Sequence, residues 1–165
     1  MRWGDGMMTD PSTPAVGAVR QSRFNRFLAA WLASPFGGLA GRVVLVRYTG
    51  RVSGLPRRLP VNAEPYGGGY LIRVGKPEQK TWWRNFRSPW PMELVRKGRR
   101  IEGSAVVVSG DNAEGQRIAT DYFAHHHGAA RRAGLPKMNK GEVPTPEALR
   151  AAAAQLVFIL MTPNS

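Results

Sequence analysis

Phe24, Phe27, Leu28, Trp31 and Leu32 fall at three- and four-residue spacing, which gathers them on one helical face and leaves Arg23 and Arg26 off it. A helix from Ser22 to about Ser34-Pro35 follows. Its apolar face either packs on a domain or lets a basic, aromatic-bearing helix rest on a membrane surface. Downstream the pattern shortens to apolar runs punctuated by turn residues, which predicts strands at Val43–Thr49, Arg57–Tyr66, Tyr70–Val74, Pro91–Lys97 and Arg99–Ser109. Gly67-Gly68-Gly69 and Lys97-Gly98 stand where tight hairpin turns need positive φ, so much of the sheet should be antiparallel. Lys80–Arg87 reads as a short helix inserted in this meander and closed by Ser88-Pro89.

Asp111, with Glu114 three positions on, predicts the start of a helix over 112–127, with Ile118 and Tyr122 inward and Gly128 as its stop. Residues 128–144 are basic and rich in glycine, and read as a long mobile lid. Thr145-Pro146-Glu147 opens an alanine-rich helix through 154, and Leu156–Met161 closes the pattern as a buried strand. About six mostly antiparallel strands with peripheral helices and no βαβ alternation give an α+β barrel. The first 19 residues lack periodicity and are expected to be a disordered tail before a single domain over 20–165.

Composition narrows the chemistry. The chain has 165 residues, 42% hydrophobic and 21% charged, enough for one packed domain. With no cysteine, thiolate metal sites, disulfides and cysteine nucleophiles are excluded. No apolar run spans a bilayer and the first twenty residues lack signal-peptide order, so a cytoplasmic location is expected.

The charge is uneven as well as large. Twenty-four Lys and Arg against eleven Asp and Glu give +13, and thirteen of the basic residues but only three acidic ones lie between 47 and 100. Such an excess calls for an anion: nucleic acid, an acidic lipid surface or a polyanionic small molecule.

Two stretches carry the candidate chemistry. Tyr48 to Pro60 is a strand, a glycine-bounded turn and a second strand bearing Arg51, Ser53, Arg57 and Arg58. It is either an anion cradle with forked guanidinium donors or a hairpin whose basic edge is simply solvated. Gly75 to Phe86 sets Trp82, Trp83 and Asn85 beside Lys76 and Lys80. One indole faces the core and its neighbour a groove, or both fill the core. His125, His126 and His127 are adjacent and diverge around a helix, so no metal site is expected there. Nucleophile-elbow, phosphate-loop and dinucleotide motifs are missing, which excludes hydrolysis and phosphoryl transfer as leading readings.

At these stretches the sequence resembles the deazaflavin-dependent nitroreductase family, the coenzyme F420-binding branch of the flavin/deazaflavin oxidoreductase superfamily. The resemblance rests on the helix ending at Ser34-Pro35, on Thr49-Gly50-Arg51-x-Ser53-Gly54-x-x-Arg57, on Trp82-Trp83-x-Asn85-Phe86, and on Val157–Leu160 followed by Pro163. It implies a split β-barrel of the FMN-binding, pyridoxamine-oxidase-like kind and an F420-dependent reductase acting on a quinone, enone or nitro compound. FMN is the weaker candidate, because F420 carries a phosphodiester and an oligoglutamate tail that suit the basic charge.

By the same resemblance, Arg51, Val52, Ser53, Arg57 and Arg58 would meet phosphate and tail. Leu59, Pro60, Val61, Asn62, Ile72, Arg73, Val74, Gly75 and Lys76 would line the deazaflavin. Lys80, Trp82, Trp83 and Asn85 would close the site, and Tyr122 would donate a proton or touch substrate. Val52 stands where the family usually has a second basic residue, and Arg73 where it has a small one. The competing readings are a non-catalytic F420 carrier and a small nucleic-acid-binding barrel with Trp82 and Trp83 stacking on bases.

Overall fold

In the structure, a computed structural model, residues 42–165 are described except Lys97, Met138, Lys140, Gly141 and Val143. The expected tail over 1–19 and helix over 22–34, with its membrane contact, lie outside the described residues. Six strands carry the fold: β1 (Val43–Thr49), β2 (Pro56–Tyr66), β3 (Gly69–Val74), β4 (Trp90–Arg96), β5 (Arg99–Ser109) and β6 (Val157–Pro163). They close into an antiparallel barrel in the order β1-β2-β3-β6-β5-β4. The α+β barrel read from the strand pattern is therefore the fold, with strand limits shifted by no more than two residues.

Alternation makes two cores from these strands. Val44 and Val46, Ile72 and Val74, Met92 and Leu94, and Ile159 and Met161 point inward and fill the barrel, with Phe86 as a plug. The opposite faces of β3, β5 and β6 present Leu71, Val108 and Phe158 to a helical layer. Among the described residues three helices form that layer: α1 (Ala113–His125), α2 (His127–Arg132) and α3 (Pro146–Ala153). Gly67 and Gly68, at φ 55° and 79°, make the two-residue β2–β3 turn whose handedness matches strand twist.

Three expectations are corrected. The N-cap of α1 is Asn112 and not Asp111: its side chain accepts the Gly115 N–H at 2.8 Å. Lys80–Arg87 is not an α-helix but a 3-10 helix over Trp82–Phe86, preceded by another over Pro77–Gln79. The five-residue segment closed by Ser88-Pro89 is too short for i→i−4 bonding to propagate.

The third correction concerns 128–144, which is not an unbroken loop. Gly128 does not stop the helix. The break falls at His126, at φ −128° and ψ 63°, and α2 resumes at once. Ala129, Ala130 and Leu135 are buried in the helical core, since small apolar side chains let α2 lie close on α1. At the last helix, Thr145 caps α3 as expected, its hydroxyl accepting from Ala148 N at 3.4 Å. Among the described residues no helix is long and apolar enough to cross a membrane.

Candidate functional site

The β1–β2 turn is built by its glycines. Gly50 N–H donates to Leu55 O at 2.9 Å and Gly54 N–H to Gly50 O at 2.8 Å. A Cβ on Gly50 would meet Ser53 Oγ, so a larger residue there would force the serine hydroxyl aside. Ser53 Oγ in turn accepts from Leu55 N at 3.3 Å. Val52 is wholly exposed at the tip.

Arg51 fastens this turn to the neighbouring 3-10 helix. Its Nε donates to Asn85 O at 3.0 Å, and its Nη2 to Ser88 O at 2.9 Å and Pro89 O at 3.2 Å. The guanidinium also lies 4.1 Å from the Trp90 ring centroid. Asn85 completes the clasp, accepting from Arg51 N at 2.7 Å and donating to Trp82 O at 2.7 Å. Both amide ends of Asn85 and most of the Arg51 fork thus hold the protein together.

Between the clasped turn and helix lies a cavity of about 450 Å3, lined by Tyr48, Ser53, Arg57, Trp82 and Arg84 among others and by no carboxylate among the described residues. Arg57 stands opposite Tyr48 in the β1–β2 register. Burial pushes the Tyr48 hydroxyl pKa up, and the Arg57 charge pulls the other way. Arg57 forms no ion pair with a described residue. Trp82 meets Phe86 edge-on at 6.2 Å. Trp83 is anchored through Nε1 to Pro77 O at 3.0 Å, with the Arg84 and Arg87 guanidinium groups 5.6 and 5.7 Å from its ring.

The other candidates divide by strand alternation. Arg51, Val52, Ser53, Arg57, Trp82 and Asn85 meet at this cavity. Leu59 and Val61 turn into the barrel, while Arg58, Pro60 and Asn62 take the opposite face of β2. Ile72 and Val74 are buried inward. Arg73 points outward to α1, where its Nε donates to Tyr122 Oη at 3.0 Å. Exposed Lys80 brings its ammonium close over part-buried Gly75. Lys76 is exposed, at φ 52°.

Tyr122 is packed between Phe123, Phe158 and a stacked His126 at 4.3 Å. The histidines separate: His125 Nδ1 meets Asp121 O at 2.8 Å, and His126 Nε2 meets Glu64 Oε2 at 2.8 Å. Sequence reasoning missed the Arg51–Trp90 stack and the Glu64–His126 pair. Trp90, directly after Ser88-Pro89, was a usable signal. Glu64 and His126 are 62 residues apart and gave none.

Residues 20–133 match the F420H(2)-dependent quinone reductase family. The chain belongs to this family. The resemblance carried by the arginine turn and the tryptophan segment is thereby confirmed, and the coenzyme of the family is F420. No curated protein matches the chain at the sequence level. Among solved structures, it is similar to a pyridoxamine 5'-phosphate oxidase-related, FMN-binding protein from Nostoc punctiforme, at 14% identity over 93% of this chain and 83% of that one, TM-score 0.48. A protein of unknown function from Agrobacterium tumefaciens matches at 16% identity and TM-score 0.46 over 98% of this chain, which spans 60% of that protein's length. An F420 reductase matches at 13% identity and TM-score 0.40, over 75% of this chain and 88% of the other.

Proposed function

We propose that this protein reduces an electron-poor small molecule, a quinone before an enone or nitro compound, with hydride from reduced F420. The observation that carries the reading is Arg57: a guanidinium without a carboxylate partner, in a cavity of about 450 Å3 beside Trp82 with no acidic lining among the described residues. A phosphodiester or tail carboxylate would supply the oxygens that its fork lacks. The residues present therefore fit the coenzyme.

In this reading Arg57 and the Ser53 turn bind the anionic part, Trp82 gives a flat ring a surface, and Arg51 and Asn85 position both without touching the anion. The deazaflavin supplies hydride chemistry when bound, so the chain needs no nucleophile of its own. Tyr122 does not line this cavity: it is held by Arg73 Nε at 3.0 Å and stacked on His126, so the reading gives it a packing role and not the proton transfer.

Equilibrium titration tests the coenzyme half. F420 should bind about tenfold or more tighter than FMN, since only F420 offers several carboxylates. Equal affinities would sink it. Anaerobic mixing of reduced F420 and a quinone tests the other half: tight binding without any oxidation of the coenzyme would leave a carrier and not an enzyme.

A further inference from the structure

Between the end of β3, the 3-10 turn Pro77–Gln79 and the helical layer lies a second cavity of about 540 Å3, larger than the one at the arginine turn. Its walls are of two kinds. One side is apolar, with Phe123 1% exposed, Ala152 8% exposed and Leu156 part-buried. The other carries the cations Arg73, Lys76 and Arg132 against one carboxylate, Glu78, among the described residues.

None of the three cations forms an ion pair with a described residue. Arg73 is the most constrained of them. It is part-buried, and its Nε bond to Tyr122 Oη at 3.0 Å fixes the plane of the guanidinium while both terminal nitrogens lack an acceptor among the described residues. A half-desolvated fork with unmet donors is costly unless an oxygen from outside the protein completes it. Lys76 reaches the same space from the one non-glycine residue with positive φ among those described, at 52°.

We propose that this cavity binds a small carboxylic acid with an apolar body. The carboxylate sits on the terminal nitrogens of Arg73, with Arg132 and Lys76 adding charge, and the hydrocarbon part lies against Phe123, Ala152 and Leu156. A planar carboxylate matches a guanidinium fork with two parallel hydrogen bonds. The volume suits a bicyclic aromatic acid, within the usual range of roughly 300–1,000 Å3 for small-molecule sites. An inorganic anion would gain nothing from the apolar side. The lining shares no residue with the cavity at the arginine turn, where the proposed function puts the anionic part of the coenzyme.

Calorimetric titration of the full chain with 2-naphthoate, its methyl ester and inorganic phosphate tests this, with and without saturating F420. The acid should bind once per chain, about tenfold or more tighter than ester or phosphate. Saturating F420 should leave that titration unchanged. Arg132→Gln, at an exposed position, should weaken the acid severalfold. Ala151→Trp, on the exposed rim of the cavity, should abolish binding, whereas Ala154→Trp, outside the lining, should leave it intact, with circular dichroism confirming all three folds. Equal affinity for acid and ester overturns the proposal, as does indifference to both Arg132→Gln and Ala151→Trp. Competitive displacement by F420 overturns it too, because the cations would then serve the coenzyme's own carboxylates. If F420 itself fails to bind, the coenzyme reading falls and the acid site is judged on its own titration.

Discussion

Two arginines six positions apart do opposite work at the β1–β2 turn. Arg51 directs its donors to backbone carbonyls of residues 85, 88 and 89, whereas Arg57 lines the cavity with no ion pair to a described residue. Arg51→Ala should therefore lower stability by on the order of 2 kcal/mol, seen in thermal denaturation, because the carbonyls lose a charged donor. Arg57→Gln should leave stability nearly unchanged and raise the F420 dissociation constant about tenfold or more.

The second substitution has a spectroscopic signature. Removing the Arg57 charge should raise the Tyr48 pKa further, read as a later rise in phenolate absorbance at alkaline pH. The native pKa of Tyr48 already lies above its unfolded value. The stability it contributes is thus complete below about pH 10 and lost as pH climbs through the folded value. An unchanged Tyr48 titration in the variant would mean that the two side chains do not sense one another.

At the scale of elements, the strands were legible because period-2 patterning and glycine turns are local signals. Val43–Thr49 and Arg99–Ser109 stand as the pattern drew them. The site was legible only as two stretches, not as a surface. Neighbours such as Leu59 and Pro60, or Ile72 and Arg73, are sent to opposite faces of their strand. Which face belongs to which cavity depends on barrel closure and on the helices laid over β3, β5 and β6, and neither is written in any short window.

The helix over 127–132 was hidden for a related reason. Gly128 and the basic pair Arg131-Arg132 imitate a loop, and only burial of Ala129 and Ala130 against α1 reveals the helix. Deleting 128–144 should accordingly lower the melting temperature sharply, along with any loss of turnover. A truncated protein with native stability and slow hydride transfer would restore the lid reading.

For the whole molecule, the charge of +13 gives coenzyme binding a salt dependence. Affinity for F420 should fall as ionic strength rises, and the slope should flatten for coenzyme with a shortened glutamate tail. A slope independent of tail length would assign the basic excess to another partner.

β6 has a consequence in time as well as in space. It lies between β3 and β5, paired on both edges, although more than eighty residues separate it from β3 along the chain. During synthesis β1 to β5 emerge first as a curved sheet with two open margins, Phe158 and Ile159 not yet there to cover Leu71 and Ile72. The hydrogen bonds along the free edges of β3 and β5 wait for the same few residues. Until residue 163 clears the ribosome both margins stay open, and this topology should then be at its most exposed to aggregation.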